Sequence, residues 1–269
     1  MIVHNFDPVL VDFTFFQIRW YSVAYIGGII LGWMYAIKII KKTKQNQYNF
    51  QSVTVENFDN LVTYLIIGII LGGRLGYVLF YNFQFFIFNP GEIMKIWKGG
   101  MSFHGGLFGV IIATIIFSKI TKNSFFKLAD IISCVAPIGL FFGRIANFIN
   151  GELYGKMSTV PWAVIFSKDE NFGRHPSQIY EAILEGIILF LIINFLALYK
   201  KKLFNPGYIS GVFLILYSIF RIFSEIFREP DFHIGYIYYY LSTGTLLSIL
   251  TMMVGFLVIF YNKKNEKNN

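Results

Sequence analysis

Four polar side chains are crowded into the short run Phe142–Gly155, FGRIANFINGELYG, directly after an apolar stretch. Arg144 and Asn147 are three residues apart and would share one face of a helix, with Glu152 close behind. A guanidinium is a planar fork of donors that can hold a phosphate or carboxylate at two points, and an amide adds a neutral donor. The run therefore predicts an anion-binding site. A hydrogen-bonded helix exit without a ligand is the alternative.

A second polar group follows helical spacing further along the chain. Tyr217, Arg221, Glu225 and Arg228 are separated by four, four and three residues, which would place them in one stripe on a helix. Two arginines around one glutamate leave a positive excess, and this excess favours an anionic ligand. A structural salt-bridge triad is the alternative interpretation.

The run Gly99–Gly106, GGMSFHGG, contains the histidine that most resembles a catalytic group. Four glycines surround His104, so that backbone or ligand can approach the imidazole closely. Histidine is the side chain most often used as a general base near neutral pH. His104 is therefore the candidate base, and a merely structural histidine that packs a glycine-rich helix is the alternative.

The composition describes the environment in which these residues must work. Hydrophobic residues make up 55% of the 269 residues and charged residues 14%, with a mean hydropathy of +0.57. Soluble domains carry about 25% charged residues, so a soluble enzyme, a disordered chain and a disulfide scaffold are all disfavoured. Cys134 is the single cysteine, and no metal-ligand spacing, phosphate loop or dinucleotide fingerprint occurs in the sequence. No metal or cofactor is expected.

Seven stretches are long and apolar enough to cross a bilayer, which takes about 20 residues per helix. Four carry no charged residue and three carry isolated charges. The uncharged ones are Trp20–Ile37, Gly99–Ser118, Leu203–Phe220 and Phe232–Asn262, and the others are Leu61–Tyr81, Ser124–Gly143 and Ser177–Tyr199. The sequence therefore predicts an all-α integral membrane protein with about seven transmembrane helices.

The lysines predict how this protein is oriented. Thirteen of the 17 follow the first, third, fifth and seventh helices, which all end on the same side, and the positive-inside rule assigns that side to the cytoplasm. The N-terminus is then outside and the C-terminus cytoplasmic. The basic charge reflects topology, and nucleic acid is not an expected partner. We expect one membrane domain over 1–269, with an interfacial arm at 82–98 and a small extracytoplasmic cap at 151–175.

The run 143–155, GRIANFINGELYG, resembles the signature of the prolipoprotein diacylglyceryl transferases, G-R-x-[GA]-N-F-x-N-x-E-x-x-G, at every fixed position. Further motifs of this family are similar to segments of the chain in the same order. These segments are RWYSVAY, GGRLGY, SFHGGL, HPSQIYE and RIFSEIFREPD. The resemblance covers most of the chain.

The resemblance implies a reaction and its partners. Phosphatidylglycerol would donate its diacylglyceryl group to the thiol of a lipobox cysteine in the signal peptide of a prolipoprotein. A thioether would form and glycerol phosphate would leave, as the first step of lipoprotein maturation. The enzyme would be a multi-pass protein of the bacterial cytoplasmic (inner) membrane, with its active site towards the outer leaflet.

The residues themselves fit this reaction. His104 is the candidate base that would deprotonate the thiol, and Arg144 and Arg221 are the candidates that would stabilise the departing phosphate. From the residues and the resemblance together, the positions expected to bind phosphatidylglycerol are Arg144, Asn147, Tyr25, Glu152, Gly155, Tyr217 and Glu225. Among these, Tyr25 would orient the head group, Asn147 would be a neutral donor, and Glu152 and Glu225 would hold the arginines.

Two other classes of protein remain open on the residues alone. A lipid or precursor transporter would also place arginines at membrane depth, but it should show inverted repeats and broken midplane helices, and neither is visible. A membrane chaperone for secreted precursors would not need an intramembrane histidine together with two arginines. A mass increase on a lipobox peptide would separate the transferase from both.

Overall fold

The computed structural model describes residues 2–13, 15, 17–45, 53–166, 172–229, 236–238 and 241–268. Its helices are α1 (Trp20–Gln45), α2 (Val55–Phe80), α3 (Phe83–Phe88), α4 (Phe103–Thr121), α5 (Phe125–Asn150), α6 (Ser177–Tyr199), α7 (Tyr208–Glu225) and α8 (Thr243–Asn268). Within the described ranges, all of these except the short α3 are long and apolar enough to span a membrane. The expected all-α membrane protein with seven spans is confirmed.

Short strand pairs lie outside these helices. β1 (Ile2–Val3) pairs in parallel with β4 (Val164–Ile165), which forms part of the expected cap. Antiparallel pairs join β2 (Val9–Asp12) to β3 (Gln17–Arg19) and β5 (Tyr236–Tyr238) to β6 (Leu241–Ser242). The cap, 151–175, and the motif RIFSEIFREPD, 221–231, extend outside the described residues at 167–171 and 230–231.

Three helices begin later than the uncharged stretches that predicted them. α7 starts at Tyr208, and not at Leu203, because a 3₁₀ turn and Gly207 with φ of +84° precede it. α4 starts at Phe103 because Gly99 and Gly100 both have φ near +81°, which a right-handed helix does not allow, and Ser102 caps its first turn. α8 starts at Thr243, although the uncharged run begins at Phe232, because β5 and β6 precede the helix. Absence of charge does not distinguish a membrane helix from an aromatic strand.

Packing divides the chain into two compact units, one comprising Ile37–Ala129 and the other Met1–Ala36 with Asp130–Asn269. In the first unit, α2 packs on α4 through glycines. A Cβ atom added to Gly72 would lie 2.9 Å from the Cα of Gly109, so a side chain there would force the helices apart. The single domain expected over 1–269 stays a prediction.

Arg74 holds the segment that leads into α4. Its side chain is buried, and its donors reach main-chain oxygens within the arm and directly after it. Nη2 donates to Glu92 at 2.6 Å and Nε to Ile93 at 2.9 Å, and Nη1 donates to Gly99 at 2.6 Å and Gly100 at 3.1 Å. Since carbonyl oxygens take up these donors, Arg74 has a structural role in fixing the arm.

The arm itself consists of α3 and two 3₁₀ turns, Pro90–Met94 and Ile96–Lys98. Hydrogen bonds from Lys95 and Lys98 hold the pKa of the Glu92 carboxyl below its ordinary value. These ion pairs link the two 3₁₀ turns of the arm through partly exposed side chains. Whether the arm lies along the membrane interface stays a prediction.

In the larger unit, two polar contacts tie α5 to α6 and α7. The carboxylate of Asp130 accepts hydrogen bonds from the backbone N–H groups of Gly207 and Ser210, both at 2.7 Å, and so caps the start of α7. The Asn194 amide donates to the Cys134 carbonyl at 2.9 Å. These contacts fix the three helices that carry the charged residues described next.

Candidate active site

Three helices of the larger unit bring buried charges together. α5 contributes Arg144, α6 contributes Glu181 and Glu185, and α7 contributes Arg221 and Glu225. The side chains of Glu181 and Glu185 are fully buried, and those of the two arginines are 16% and 12% exposed. With Arg228, which follows α7, these residues form what we call the arginine–glutamate cluster.

Arg144 is held by both glutamates of α6. Its Nε and Nη2 donate to Oε2 of Glu185 at 3.3 and 3.0 Å. Its Nη1 lies 2.8 Å from Oε2 of Glu181. The guanidinium is therefore fixed along two of its edges.

Arg221 lies on the other side of Glu181. Its Nη1 donates to Oε1 of Glu181 at 2.5 Å, and its Nη2 lies 2.9 Å from Oε2 of Glu225. Arg228 reaches the same Oε1 of Glu181 at 3.4 Å. Glu181 thus contacts all three arginines of the cluster.

A wider helical turn in α6 lies at these two glutamates. Ala182–Ile188 forms a π segment, which includes Glu185 and begins directly after Glu181. Such segments are rare and are found frequently at functional sites, because they change which side chains share a face. Here both carboxylates face the arginines.

The positive excess expected from the α7 stripe is wrong for the described residues. Three arginines meet three glutamates, so the formal charges balance. The spacing within α7 could not show Glu181 and Glu185, because they belong to another helix. Arg228 also lies beyond the end of α7 at Glu225 and reaches the cluster from the following turn.

Asn147 and Glu152 form a brace at the end of α5. The Asn147 Nδ2 donates to Oε1 of Glu152 at 2.7 Å, and Gln178 Nε2 donates to the Glu152 carbonyl at 2.6 Å. The expectation that Glu152 holds an arginine is therefore wrong within the described contacts, since its carboxylate is bonded to Asn147 instead. The brace fixes the turn after α5 to the start of α6.

Gly155 lies where three backbone segments meet. Its N–H donates to the His175 carbonyl at 2.9 Å, and it forms a bridge with Arg228. A Cβ atom here would lie 2.5 Å from the Phe227 carbonyl oxygen and 2.6 Å from that of His175. Only glycine fits, and its small size keeps Arg228 beside the cluster.

Burial lowers the pKa of the His175 imidazole, which favours its neutral form.

The two candidate tyrosines come from different helices of the same unit. The Tyr25 hydroxyl on α1 lies 3.4 Å from that of Tyr21. Tyr217 lies one turn before Arg221 on α7, stacked against Phe213 with the ring centroids 6.1 Å apart. Tyr217 is thus on the helix that carries Arg221 and Glu225.

His104 belongs to the other compact unit, Ile37–Ala129. It is the second residue of α4, its side chain is exposed, and the Ser102 hydroxyl accepts the Gly105 N–H at 3.2 Å beside it. His104 therefore lies, exposed, in the first turn of α4, which Ser102 caps. Its role as a base stays a prediction.

Glu181 and Glu185 are cluster residues for which no role was predicted from the sequence. A signal for both was present, since two carboxylates four residues apart interrupt an otherwise uncharged 23-residue span. An ionisable residue in a membrane helix is costly and commonly marks a functional site with a charged partner. That rule, applied to α6, would have paired these carboxylates with the arginines.

Comparisons with known proteins agree with this arrangement of motifs. A family model described as prolipoprotein diacylglyceryl transferase matches residues 8–261. A phosphatidylglycerol–prolipoprotein diacylglyceryl transferase of Rickettsia bellii is 48% identical over 96% of both chains. Proteins of the same name from Rickettsia typhi and Rhodopseudomonas palustris are 47% and 49% identical, over 98% and 94% of this chain and 100% and 89% of theirs. The chain therefore belongs to the prolipoprotein diacylglyceryl transferase family.

Proposed function

We propose that this protein transfers the diacylglyceryl group of phosphatidylglycerol to a cysteine thiol of a prolipoprotein. The sulfur attacks the glycerol carbon that carries the phosphate ester, a C–S bond forms, and the C–O bond to phosphate breaks. Glycerol phosphate leaves with the bonding electrons, and the thiol proton passes to a base. Family membership and the names of the relatives support this reaction.

The arginine–glutamate cluster is the observation that carries the proposal. Arg144 and Arg221 are largely buried in membrane-spanning helices and share Glu181 as a partner. Fixed positive charge in a water-poor site stabilises an anion more strongly than it would in water. The two arginines therefore bind the phosphodiester and stabilise the phosphate as it leaves.

The other candidate residues position the lipid and the arginines. Glu225 orients Arg221, and the brace between Asn147 and Glu152 keeps the end of α5 in place beside Arg144. The remaining positions implied by the family resemblance as part of the phosphatidylglycerol site are Tyr25, Gly155 and Tyr217. His104 is the base that deprotonates the thiol.

The acceptor in this proposal is the lipobox cysteine in a prolipoprotein signal peptide. The lysines that follow alternate helices orient the chain with its N-terminus outside, in the bacterial cytoplasmic membrane. The signature run then lies towards the outer leaflet, the side from which an exported precursor is reached. This topology supports an active site that faces the outer leaflet.

The test is a mass measurement on a lipobox peptide. The purified protein in detergent, incubated with phosphatidylglycerol, should add one diacylglyceryl group to the peptide. A matched peptide with serine in place of the cysteine should keep its mass. Peptide binding without a mass change would favour a chaperone, and lipid movement without it would favour a transporter; either result contradicts the proposal.

We expect Cys134→Ala to retain most of the transferase activity. Cys134 is fully buried in α5, and its contact with Asn194 uses the backbone carbonyl, which alanine keeps. The nucleophilic sulfur arrives with the precursor, so the enzyme needs no thiol of its own. Turnover per folded molecule would be measured with the lipobox peptide. A folded variant without turnover would mean that Cys134 takes part in the chemistry.

A further inference from the structure

We propose that Glu181 is a built-in counterion that positions Arg144 and Arg221, and that the phosphodiester of phosphatidylglycerol takes over part of its contacts when the lipid binds. This inference rests on the proposed function. It adds a positioning residue that lies outside the signature run and outside the α7 stripe.

The geometry separates Glu181 from the other carboxylates of the cluster. Its Oε2 is 2.8 Å from Arg144 and its Oε1 is 2.5 Å from Arg221, so one carboxylate links both arginines. Glu185 lies 3.0 Å from Arg144 but 4.0 Å from Arg221, and Glu225 contacts Arg221 at 2.9 Å. Glu181 is therefore the residue that fixes the positions of the two guanidinium groups relative to each other.

Two of the shorter contacts are ion pairs without a hydrogen bond. Oε2 of Glu181 beside Arg144 and Oε2 of Glu225 beside Arg221 are buried, yet neither accepts a hydrogen bond in the described part of the chain. Only the first of them belongs to the carboxylate that links both arginines. A buried acceptor without a donor forgoes stabilisation that good geometry would provide. Nη1 of Arg144 can therefore turn from Glu181 towards a phosphate oxygen at a small cost in free energy. Glu185 continues to hold Nε and Nη2 of Arg144 during this exchange.

The charge balance explains why an internal anion is needed. Removing one partner of a buried ion pair is strongly destabilising, because the other charge is left uncompensated. If Glu181 were neutral in the empty site, Glu185 and Glu225 would still contact Arg144 and Arg221. Two carboxylates would then face the three arginines of the cluster, and one buried positive charge would be uncompensated. With Glu181 present, the arginines keep an anionic partner both before and after the lipid arrives.

Thermal unfolding of the full-length protein in detergent tests this exchange. Glu181→Gln should unfold at a lower temperature than wild type without lipid. Phosphatidylglycerol should then raise its midpoint by more than it raises that of wild type, because binding to the folded state stabilises it and the lipid phosphate replaces the missing charge. Diacylglycerol, which has no phosphate, should produce no such difference.

Asp130→Asn is the matched control. Asp130 is also a fully buried carboxylate of this unit, but its partners are backbone N–H groups of Gly207 and Ser210. This variant should lose stability and yet show the wild-type shift with phosphatidylglycerol. A merely structural Glu181 would behave in the same way as Asp130.

Kinetics provide a second readout. Glu181→Gln should lower kcat by about 10²-fold, the loss that a displacement of about 1 Å can cause, without raising KM for phosphatidylglycerol. If Glu181→Gln does not fold, Glu181→Asp is the second variant. Its shorter side chain withdraws the carboxylate from Arg144 and Arg221, so the phosphate replaces these lost contacts and phosphatidylglycerol should again raise the unfolding midpoint by more than in wild type.

Two results would overturn the inference. One is a phosphatidylglycerol shift in the Glu181 variant that is equal to or smaller than that of wild type. The other is an equal extra shift with diacylglycerol. Failure of the proposed function looks different, since the wild-type protein would then add no mass to the lipobox peptide, whether or not phosphatidylglycerol stabilises it.

Discussion

Arg144→Lys should reduce turnover nearly as far as Arg144→Ala, by about 10²- to 10³-fold, the loss typical when a donor to a developing negative charge is removed. Arg144 uses Nε and Nη2 on Glu185 and Nη1 on Glu181. A lysine ammonium is a compact point charge and cannot cover both glutamates while holding a phosphate at two points. Charge alone should therefore not rescue the site.

The comparison requires turnover per folded molecule for both variants, measured with the lipobox peptide in detergent. Arg19→Lys is the control, because Arg19 is an exposed arginine of β3 in the same unit, outside the cluster. It should keep activity near that of wild type. Near-normal turnover of Arg144→Lys would show that Arg144 acts only through its charge. It would contradict the proposal that the guanidinium holds the phosphate at two points.

The membrane architecture could be predicted from the sequence because a bilayer imposes a simple rule. Seven stretches with few or no charges became seven spanning helices. The absence of charge does not show where within an uncharged stretch the helix begins. Gly99, Gly100 and the strands β5 and β6 therefore had to be seen in the structure.

Local spacing predicted part of the site and missed its organisation. Arg144 with Asn147, and Arg221 with Glu225, follow from helical periodicity within one element. The link from Arg144 through Glu181 to Arg221 joins three helices, and one sequence contains no distance between helices. The bond between Asn147 and Glu152 was also missed, because it depends on the turn after α5.

His104→Asn has the second large expected effect, on turnover and on its pH dependence. If His104 is the general base, turnover near neutral pH should fall by about 10²- to 10⁴-fold, while binding of phosphatidylglycerol is largely unchanged. A free thiol has a pKa near 8.5, so rising pH should restore part of the activity by ionising the acceptor without help. Turnover and lipid binding would be measured separately from about pH 6 to 9.

The same experiment on Arg221→Gln decides between two ways of activating the thiol. Arg221, held by Glu181 and Glu225, could lower the pKa of the acceptor thiol by its charge and make a base unnecessary. High-pH recovery would then appear in Arg221→Gln and not in His104→Asn. A His104→Asn enzyme that is unstable but shows little recovery would instead assign His104 to packing at the glycine-rich start of α4. Recovery confined to His104→Asn would identify the imidazole as the base.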